Sequence, residues 1–267
     1  MIHPIIGIVG LGYVGNAVRE AYSFTLAEIR AVDIDPTKLA NHTYKDLRNC
    51  DAVFVCVPSP MNSDGSCDSS ILESVLENLK DFHGVIISKV TATPDVYRRL
   101  NEQYINLVHV PEFLTAHNAY RDYISASFTI IGGKVPAFIR EAERIIKFGQ
   151  SHLKEVHFCK IEEAALVKYV INSFLATKVV FMNEIKALAD SAGIDYDALA
   201  KMISSDYRIG PTHLRVPGPD GNLGFGGGCF PKDIQALLKF AENLNSNLSV
   251  IDTANKKNTM LRLTLPK

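Results

Sequence analysis

The sequence predicts an α/β fold: a doubly wound, mostly parallel sheet over residues 1–160, then an all-helical region over 161–267 built on a long central helix. Three observations predict it. Short β-branched apolar runs alternate with helical stretches as far as Cys159, the pattern of a parallel sheet with helices on both faces. The first run feeds a glycine-rich turn, Gly10-Leu11-Gly12-Tyr13-Val14-Gly15, directly into a helix. Beyond Ile161 no further strand pattern occurs, and one apolar helical periodicity continues to Ala192.

Residues 5–9 read as a buried strand, 16–22 as a helix and 29–33 as a second strand ending in Asp33. Strand, GxGxxG, helix, strand and terminal acid together form a dinucleotide-binding, Rossmann-type fingerprint. Gly10 permits the tight turn, Gly12 lets a pyrophosphate approach the backbone, and Gly15 lets helix and strand pack closely. The helix N-terminus attracts phosphate. Asp33 accepts from ribose hydroxyls and favours NAD over NADP, a preference that Arg30 and Lys38 weaken slightly.

Residues 52–58 form an apolar strand running to Val57-Pro58, followed by a polar loop over 59–70 and a helix over 71–79. Strands follow at 84–88 and 105–110, the latter leading into Pro111-Glu112-Phe113-Leu114. A strand at 127–133, a helix at 137–148 and a strand at 155–159 complete the region. Pro58, Thr91 and Glu112 each follow a strand, so they share the carboxyl edge of the sheet with the glycine turn, where such sheets bind ligands. Cofactor contacts are therefore expected from Gly10, Gly12, Tyr13, Val14, Gly15, Asp33, Lys38, Val57, Pro58 and Thr91, with Lys232 added from the second region.

In that second region the helix over 161–192 carries Lys168 and Asn172, four apart and so on one face. Two readings stay open for the pair: a solvated stripe, or a cation and an amide turned into a cleft. A helix follows at 196–204, then a connector over 206–222 rich in proline and glycine, then helices at 234–243 and 248–261. Between connector and helix stands Gly224-Phe225-Gly226-Gly227-Gly228-Cys229-Phe230-Pro231-Lys232-Asp233. Four glycines in five positions let backbone amides approach a ligand, and Pro231 marks a first helical turn. Cys229 thus precedes a helix N-terminus, where thiolate is favoured, with Lys232 and Asp233 within one turn. A thiol so placed suits covalent chemistry on a carbonyl. The alternatives are a buried cysteine after a turn, and an Asp233 that is only a helix-start charge.

A net charge of −1 gives no electrostatic footprint for nucleic acid or an anionic membrane. Five scattered cysteines without a CxxC pair argue against a disulfide framework or a zinc site and for a reducing compartment. No metal is expected. The N-terminus lacks a basic n-region, and the apolar segment 169–182 is short for a bilayer. A soluble, cytoplasmic protein is the expectation, with a homodimer packed through the apolar helix starting near Ile161.

On the glycine turn, Pro111-Glu112-Phe113-Leu114, the Lys168/Asn172 pair and the cysteine loop, the sequence resembles the UDP-glucose/GDP-mannose dehydrogenase family from residue 5 to about 258. The resemblance implies oxidation of the primary alcohol of a nucleotide sugar, most simply UDP-glucose at C6, to a uronic acid by NAD in two steps, as in polysaccharide biosynthesis. It implies Cys229 as nucleophile, with Lys168, Asn172 and Asp233 around the reacting carbon. Glu112 is implied in thioester hydrolysis, Thr91 in holding a catalytic water, and Arg208 in reaching substrate across a dimer interface. Substrate contacts are implied for Glu112, Phe113, Leu114, Thr115, Lys168, Asn172, Arg208, Gly224, Phe225 and Gly226. Three departures stand out. Thr115 and Ala116 replace a common acid, and the stretch before Cys229 is lengthened, with His213 and Pro217-Gly218-Pro219-Asp220-Gly221. The third is extent: a short form is implied, without the C-terminal nucleotide-binding domain. The competing readings are a two-electron β-hydroxyacid-type dehydrogenase, which needs no nucleophilic cysteine, and a non-catalytic NAD-binding module.

Overall fold

Ile5–Val9 (β1) sits between Glu28–Val32 (β2) and Ala52–Val55 (β3), parallel to both, with Ile6 opposite Ile29 on one side and Ala52 on the other. The computed structural model describes residues 3–38 and 40–263. Val85–Ser88 (β4) and Leu107–His109 (β5) extend the sheet in parallel. Phe128–Gly132 (β6) joins antiparallel through His109 opposite Gly132, and Glu155–Cys159 (β7) lies parallel to β6. The order is β2-β1-β3-β4-β5-β6-β7. The chain leaves β1 first to one side and then to the other, so β1 and β3 flank the topological switch point, where doubly wound sheets bind ligands.

Every residue of β3 and β4 is buried, as strands covered on both faces require. Alternate residues separate into two cores. Ile6, Ile8, Phe54, Val85 and Ile87 pack with Ala17, Val18 and Ala21 of Tyr13–Ser23 (α1) and with Ala142, Ile145 and Ile146 of Pro136–Gly149 (α5). Val9, Val53, Val55 and Ile86 pack with Leu72, Val75 and Leu76 of Ser70–Asn78 (α2) and with Tyr97 and Leu100 of Pro94–Gln103 (α3). Helix α3 and the six-residue Ala119–Ile124 (α4) carry no sequence expectation. The first has few apolar residues amid charge, and the second is too short to show a period.

The chain divides into two compact units: 1–60 with 67–168, and 61–66 with 169–267. The division falls inside Ile161–Ser191 (α6), later than the 160/161 boundary expected from composition. The reason is packing: Ile161 and Ala165, in the first turns of α6, belong to the core beneath the sheet. The second unit contains Tyr196–Ile203 (α7), Phe230–Asn243 (α8) and Ser249–Leu263 (α9). Ala176, Val180, Phe225, Ile234 and Ala254 form one of its cores, and Met182, Ala189, Tyr196, Leu214 and Val216 another.

Helix α6 buries polar residues among its apolar ones and exposes large apolar ones. Lys168 and Asn172 are 5% and 6% exposed, whereas Val170 and Phe174 are 53% and 67% exposed. Leu166, Phe181 and Leu188 are likewise exposed. The solvated-stripe reading of Lys168 and Asn172 is thereby excluded. By length and composition alone α6 could also cross a membrane, a correction to the reading of its apolar stretch as too short. Its buried face, however, carries Lys168, Asn172 and Asn183, each hydrogen-bonded within the protein.

Candidate active site

At the carboxyl end of β1, Gly10 has φ 89° and donates to the Val32 carbonyl at 2.9 Å. A β-carbon there would meet the Cys56 carbonyl oxygen at 2.8 Å, and one on Gly15 would stand 1.8 Å from the Gly10 carbonyl oxygen. Gly12 differs: a β-carbon would touch nothing within 4 Å. It is the N-cap of α1, whose first turn holds no acid to compete with a phosphate. Asp33 braces this turn. Its Oδ2 accepts from Leu11 N at 2.6 Å and its Oδ1 from Asp35 N at 2.8 Å, leaving a second lone pair on each oxygen for ribose hydroxyls. Tyr13, Lys38 and Pro58 are exposed and Val57 is half-buried, while Val14 packs on the core. The turn, open at Gly12 and closed at Gly10 and Gly15, fits a dinucleotide.

That contrast gives a paired expectation. Gly15→Ala is expected to lower stability by about 3 kcal/mol or more, because the clash is with backbone. Gly12→Ala should cost at most about 1 kcal/mol of stability yet weaken NAD binding about tenfold or more, since the new methyl occupies the phosphate approach. Urea midpoints and cofactor titration separate the two effects.

Further along the same edge, Thr91 follows β4 and Glu112 follows β5. Lys168 Nζ donates to the Glu112 carbonyl at 2.5 Å and to Glu112 Oε1 at 3.1 Å, and lies 5.4 Å from the Phe113 ring centroid. Glu112 Oε2 accepts from Leu114 N at 2.7 Å. The Lys168 and Glu112 side chains are 6% and 13% exposed, a buried pair of opposite charges. Thr115 donates from N and Oγ1 to Asp122 at 2.8 and 2.5 Å, so its hydroxyl anchors the loop against the adjacent helix α4.

Sequence reasoning missed Lys89, the residue after β4. It is 6% exposed, and its ammonium lies 5.6 Å from the Tyr123 ring centroid. Burial pushes its pKa down to about 8, against smaller opposing pulls from Cys56 and Glu112, with Lys168 also lowering it. Below that pH both folded and unfolded chains carry the charge, and the burial penalty is fully present. It is relieved as pH rises through 8, where the native state releases its proton first, and is gone near 10.5. Lys89→Met is thus expected to stabilise the protein by about 3 kcal/mol at pH 7, a gain that fades by about pH 10.5 in urea titrations. A lone lysine in Ser88-Lys89-Val90-Thr91 carries no periodic signal, so only the fold reveals its burial.

In the second unit, Asn172 Nδ2 donates to Asp233 Oδ2 at 2.6 Å, and Lys232 Nζ donates to Asp233 Oδ1 at 2.6 Å. Asp233 is 1% exposed, so it is a buried, doubly engaged carboxylate rather than a mere helix-start charge. Lys232, proposed for the cofactor, spends its ammonium on this pair. Cys229 is the N-cap of α8 and is exposed, which sets aside the buried-cysteine alternative.

The glycine loop before Cys229 has a fixed root and an open tip. Gly224 N donates to Asn183 Oδ1 at 3.0 Å. Phe225 N donates to Asn258 Oδ1 at 2.7 Å, and its carbonyl accepts from Asn258 Nδ2 at 3.1 Å and Arg262 Nε at 2.9 Å. Arg262 also bonds Asp220 at 2.7 Å. A β-carbon on Gly226 would stand 1.8 Å from Arg262 Nη2, whereas Gly227, at φ 78°, and Gly228 face open space. Asn183, Asn258 and Arg262 were invisible in the sequence, being ordinary polar residues on helical segments. Arg208 is exposed and paired with Asp206 of its own loop at 2.6 Å. Among the described residues no three His, Cys, Asp or Glu side chains cluster as a metal site requires.

Two family models match: the UDP-glucose/GDP-mannose dehydrogenase family NAD binding domain over residues 37–148, and the same family's central domain over 162–260. The chain belongs to the UDP-glucose/GDP-mannose dehydrogenase family. Its N-terminal unit is therefore the family's NAD-binding domain, and NAD is its cofactor. It is 32% identical over 242 residues to UDP-glucose 6-dehydrogenase of Rickettsia conorii, covering 86% of this chain and 54% of that protein. Identity to UDP-glucose 6-dehydrogenase TuaD of Bacillus subtilis is 27% over 265 residues, covering 93% and 55%. The chain spans between 52% and 64% of the length of the first six curated relatives it matches. The solved UDP-glucose dehydrogenase of Pyrobaculum islandicum superposes with a TM-score of 0.80 at 25% identity, covering 97% of this chain and 68% of that one. A 3-hydroxyisobutyrate dehydrogenase of Mycobacterium tuberculosis shares the fold at 16% identity and a TM-score of 0.74, covering 96% and 92%.

Proposed function

We propose that the chain carries the catalytic residues of an NAD-dependent nucleotide-sugar dehydrogenase that oxidises a primary alcohol, most simply C6 of UDP-glucose, to the carboxylate. The observation that carries this reading is Cys229, exposed at the N-cap of α8 one turn before the buried Asn172–Asp233–Lys232 cluster. A two-electron alcohol oxidation has no use for such a thiol.

NAD held by the Gly10–Gly15 turn and Asp33 would supply the hydride acceptor, one molecule for each of two oxidations. Lys168 and Asn172, one turn apart on α6, stabilise the alkoxide that forms as the hydroxyl proton leaves. The Cys229 thiolate adds to the resulting aldehyde carbon, and the oxygen gains a proton, giving a thiohemiacetal. Loss of its hydroxyl proton and its hydride leaves a thioester on Sγ. Water, held by Thr91 and deprotonated with the help of Glu112 or Asp233, attacks the thioester carbonyl; the C–S bond breaks, the thiolate returns and the uronic acid departs. Backbone of Gly224, Phe225 and Gly226, with Phe113, Leu114 and Thr115, lines the substrate.

The reading extends to assembly. A second copy of the chain covers the exposed Leu166, Val170 and Phe174 face of α6, and Arg208, exposed and loop-borne, reaches the neighbouring subunit's substrate. The protein acts in the cytoplasm, without nucleic acid or membrane, in polysaccharide precursor synthesis. Incubation with NAD and a panel of UDP- and GDP-sugars tests the activity: NADH release with one of them supports it, and none with any, despite NAD binding, contradicts it.

A further inference from the structure

We propose that His213, with the hydroxyls of Ser173 and Thr177, forms a hydrogen-bonding subsite for a sugar hydroxyl beside the Cys229 loop. This rests on the nucleotide-sugar reading and deepens it by naming a residue that selects the sugar. His213 lies in the lengthened connector before the glycine loop. Its backbone has φ 63°, a left-handed conformation uncommon for a residue with a β-carbon. Its ring leans on Phe230, the residue after Cys229, with centroids 5.6 Å apart and planes at 42°.

Three polar atoms in this region are buried without a hydrogen-bond partner among the described residues: His213 Nδ1, Ser173 Oγ and Thr177 Oγ1. Ser173 is 1% exposed. Ser173 and Thr177 are four apart on α6 and so lie on one face. Ala176 and Val180, on that same face, share a hydrophobic cluster with Phe225 and Phe230. Ser173 and Thr177 therefore stand on the stretch of α6 whose neighbours pack with Phe225 and Phe230, and His213 leans on Phe230. Buried polar atoms are rarely left unpaired, because desolvation is not repaid.

The charge balance points to a neutral ligand group. Burial, and secondarily the Lys178 charge, push the His213 pKa below its ordinary value, so the ring is neutral near pH 7, with one nitrogen accepting and the other donating. Lys178 itself donates to the Ile209 carbonyl at 2.7 Å. Two hydroxyls and a neutral imidazole against an aromatic face match the alternating hydroxyls and C–H face of a sugar better than a phosphate.

Calorimetric binding of UDP-glucose and of UDP to wild type, His213→Phe and His213→Asn tests the subsite, with thermal midpoints read alongside. Phenylalanine keeps the packing on Phe230 and removes the nitrogens; asparagine tolerates the left-handed backbone and keeps a polar group. His213→Phe is expected to weaken UDP-glucose binding about five- to tenfold, the scale of one neutral hydrogen bond, with UDP affinity unchanged and His213→Asn recovering part of the loss. Should His213→Phe fail to fold, His213→Asn against wild type carries the test, with a loss of about threefold expected for UDP-glucose alone. Equal weakening of both ligands, or no change in either while wild type turns over a nucleotide sugar, overturns the subsite and leaves the proposed function standing; the orphaned atoms then hold ordered water. Wild type that neither binds nor oxidises any nucleotide sugar overturns the proposed function and the subsite together.

Discussion

Cys229→Ala is expected to abolish carboxylate formation, a loss of about 10³-fold or more, the scale on which removing a covalent nucleophile acts. The variant retains the first hydride transfer, because Lys168 and Asn172 are untouched, so aldehyde-level product is expected where wild type gives acid. Folding should be little affected: Cys229 is exposed, and the root of the loop that carries it is held at Gly224 and Phe225 by Asn183, Asn258 and Arg262. Product analysis by mass spectrometry and a urea midpoint within about 0.5 kcal/mol of wild type check both halves. Acid formation at the wild-type rate would remove the cysteine from the chemistry.

Lys168→Met is the second large effect, and it acts on two quantities at once. The ammonium is the cation buried against Glu112, and its loss leaves a carboxylate that is 13% exposed. Breaking such a pair on one side destabilises by about 3 kcal/mol. The same change removes the charge assigned to the developing alkoxide, with an expected fall in kcat of about 10²–10³-fold. Lys168→Met combined with Glu112→Gln separates the two roles. The double variant should recover part of the lost stability, since neither charge is then stranded, and none of the lost turnover. If stability and turnover recover together, Lys168 serves the fold alone.

These residues differ in how far the sequence disclosed them. The strands around β1 and β3 were legible because their β-branched runs are unbroken, and the turn at Gly10, Gly12 and Gly15 because each glycine answers a separate steric demand. The place of Cys229 at a helix start was legible from Pro231. The ion pair between Glu112 and Lys168 was not, since the two lie on separate elements whose pairing only the fold decides. The clamp of Asn258 and Arg262 on Phe225 was hidden for the same reason. Helix α3 leaves no clear period in the sequence because its buried residues, among them Tyr97, Leu100 and Asn101, are sparse, and Asn101 is buried for its amide, which donates to the Tyr104 and Leu107 carbonyls. The orientation of α6 was undecidable from its pattern: apolar residues occupy both faces, with Ala165, Ala176 and Val180 buried and Val170 and Phe174 exposed, while Lys168 and Asn172 lie on the buried side.

Four-electron chemistry through Cys229 is tested most directly by counting NADH against uronic acid in a single reaction with the active nucleotide sugar, while following the intact mass of the protein after acid quench. Two NADH per acid, with a transient mass increase that maps to Cys229 and is absent in Cys229→Ala, is the expected result. One NADH per substrate consumed, an aldehyde or ketone product and no adduct on Cys229 would contradict it.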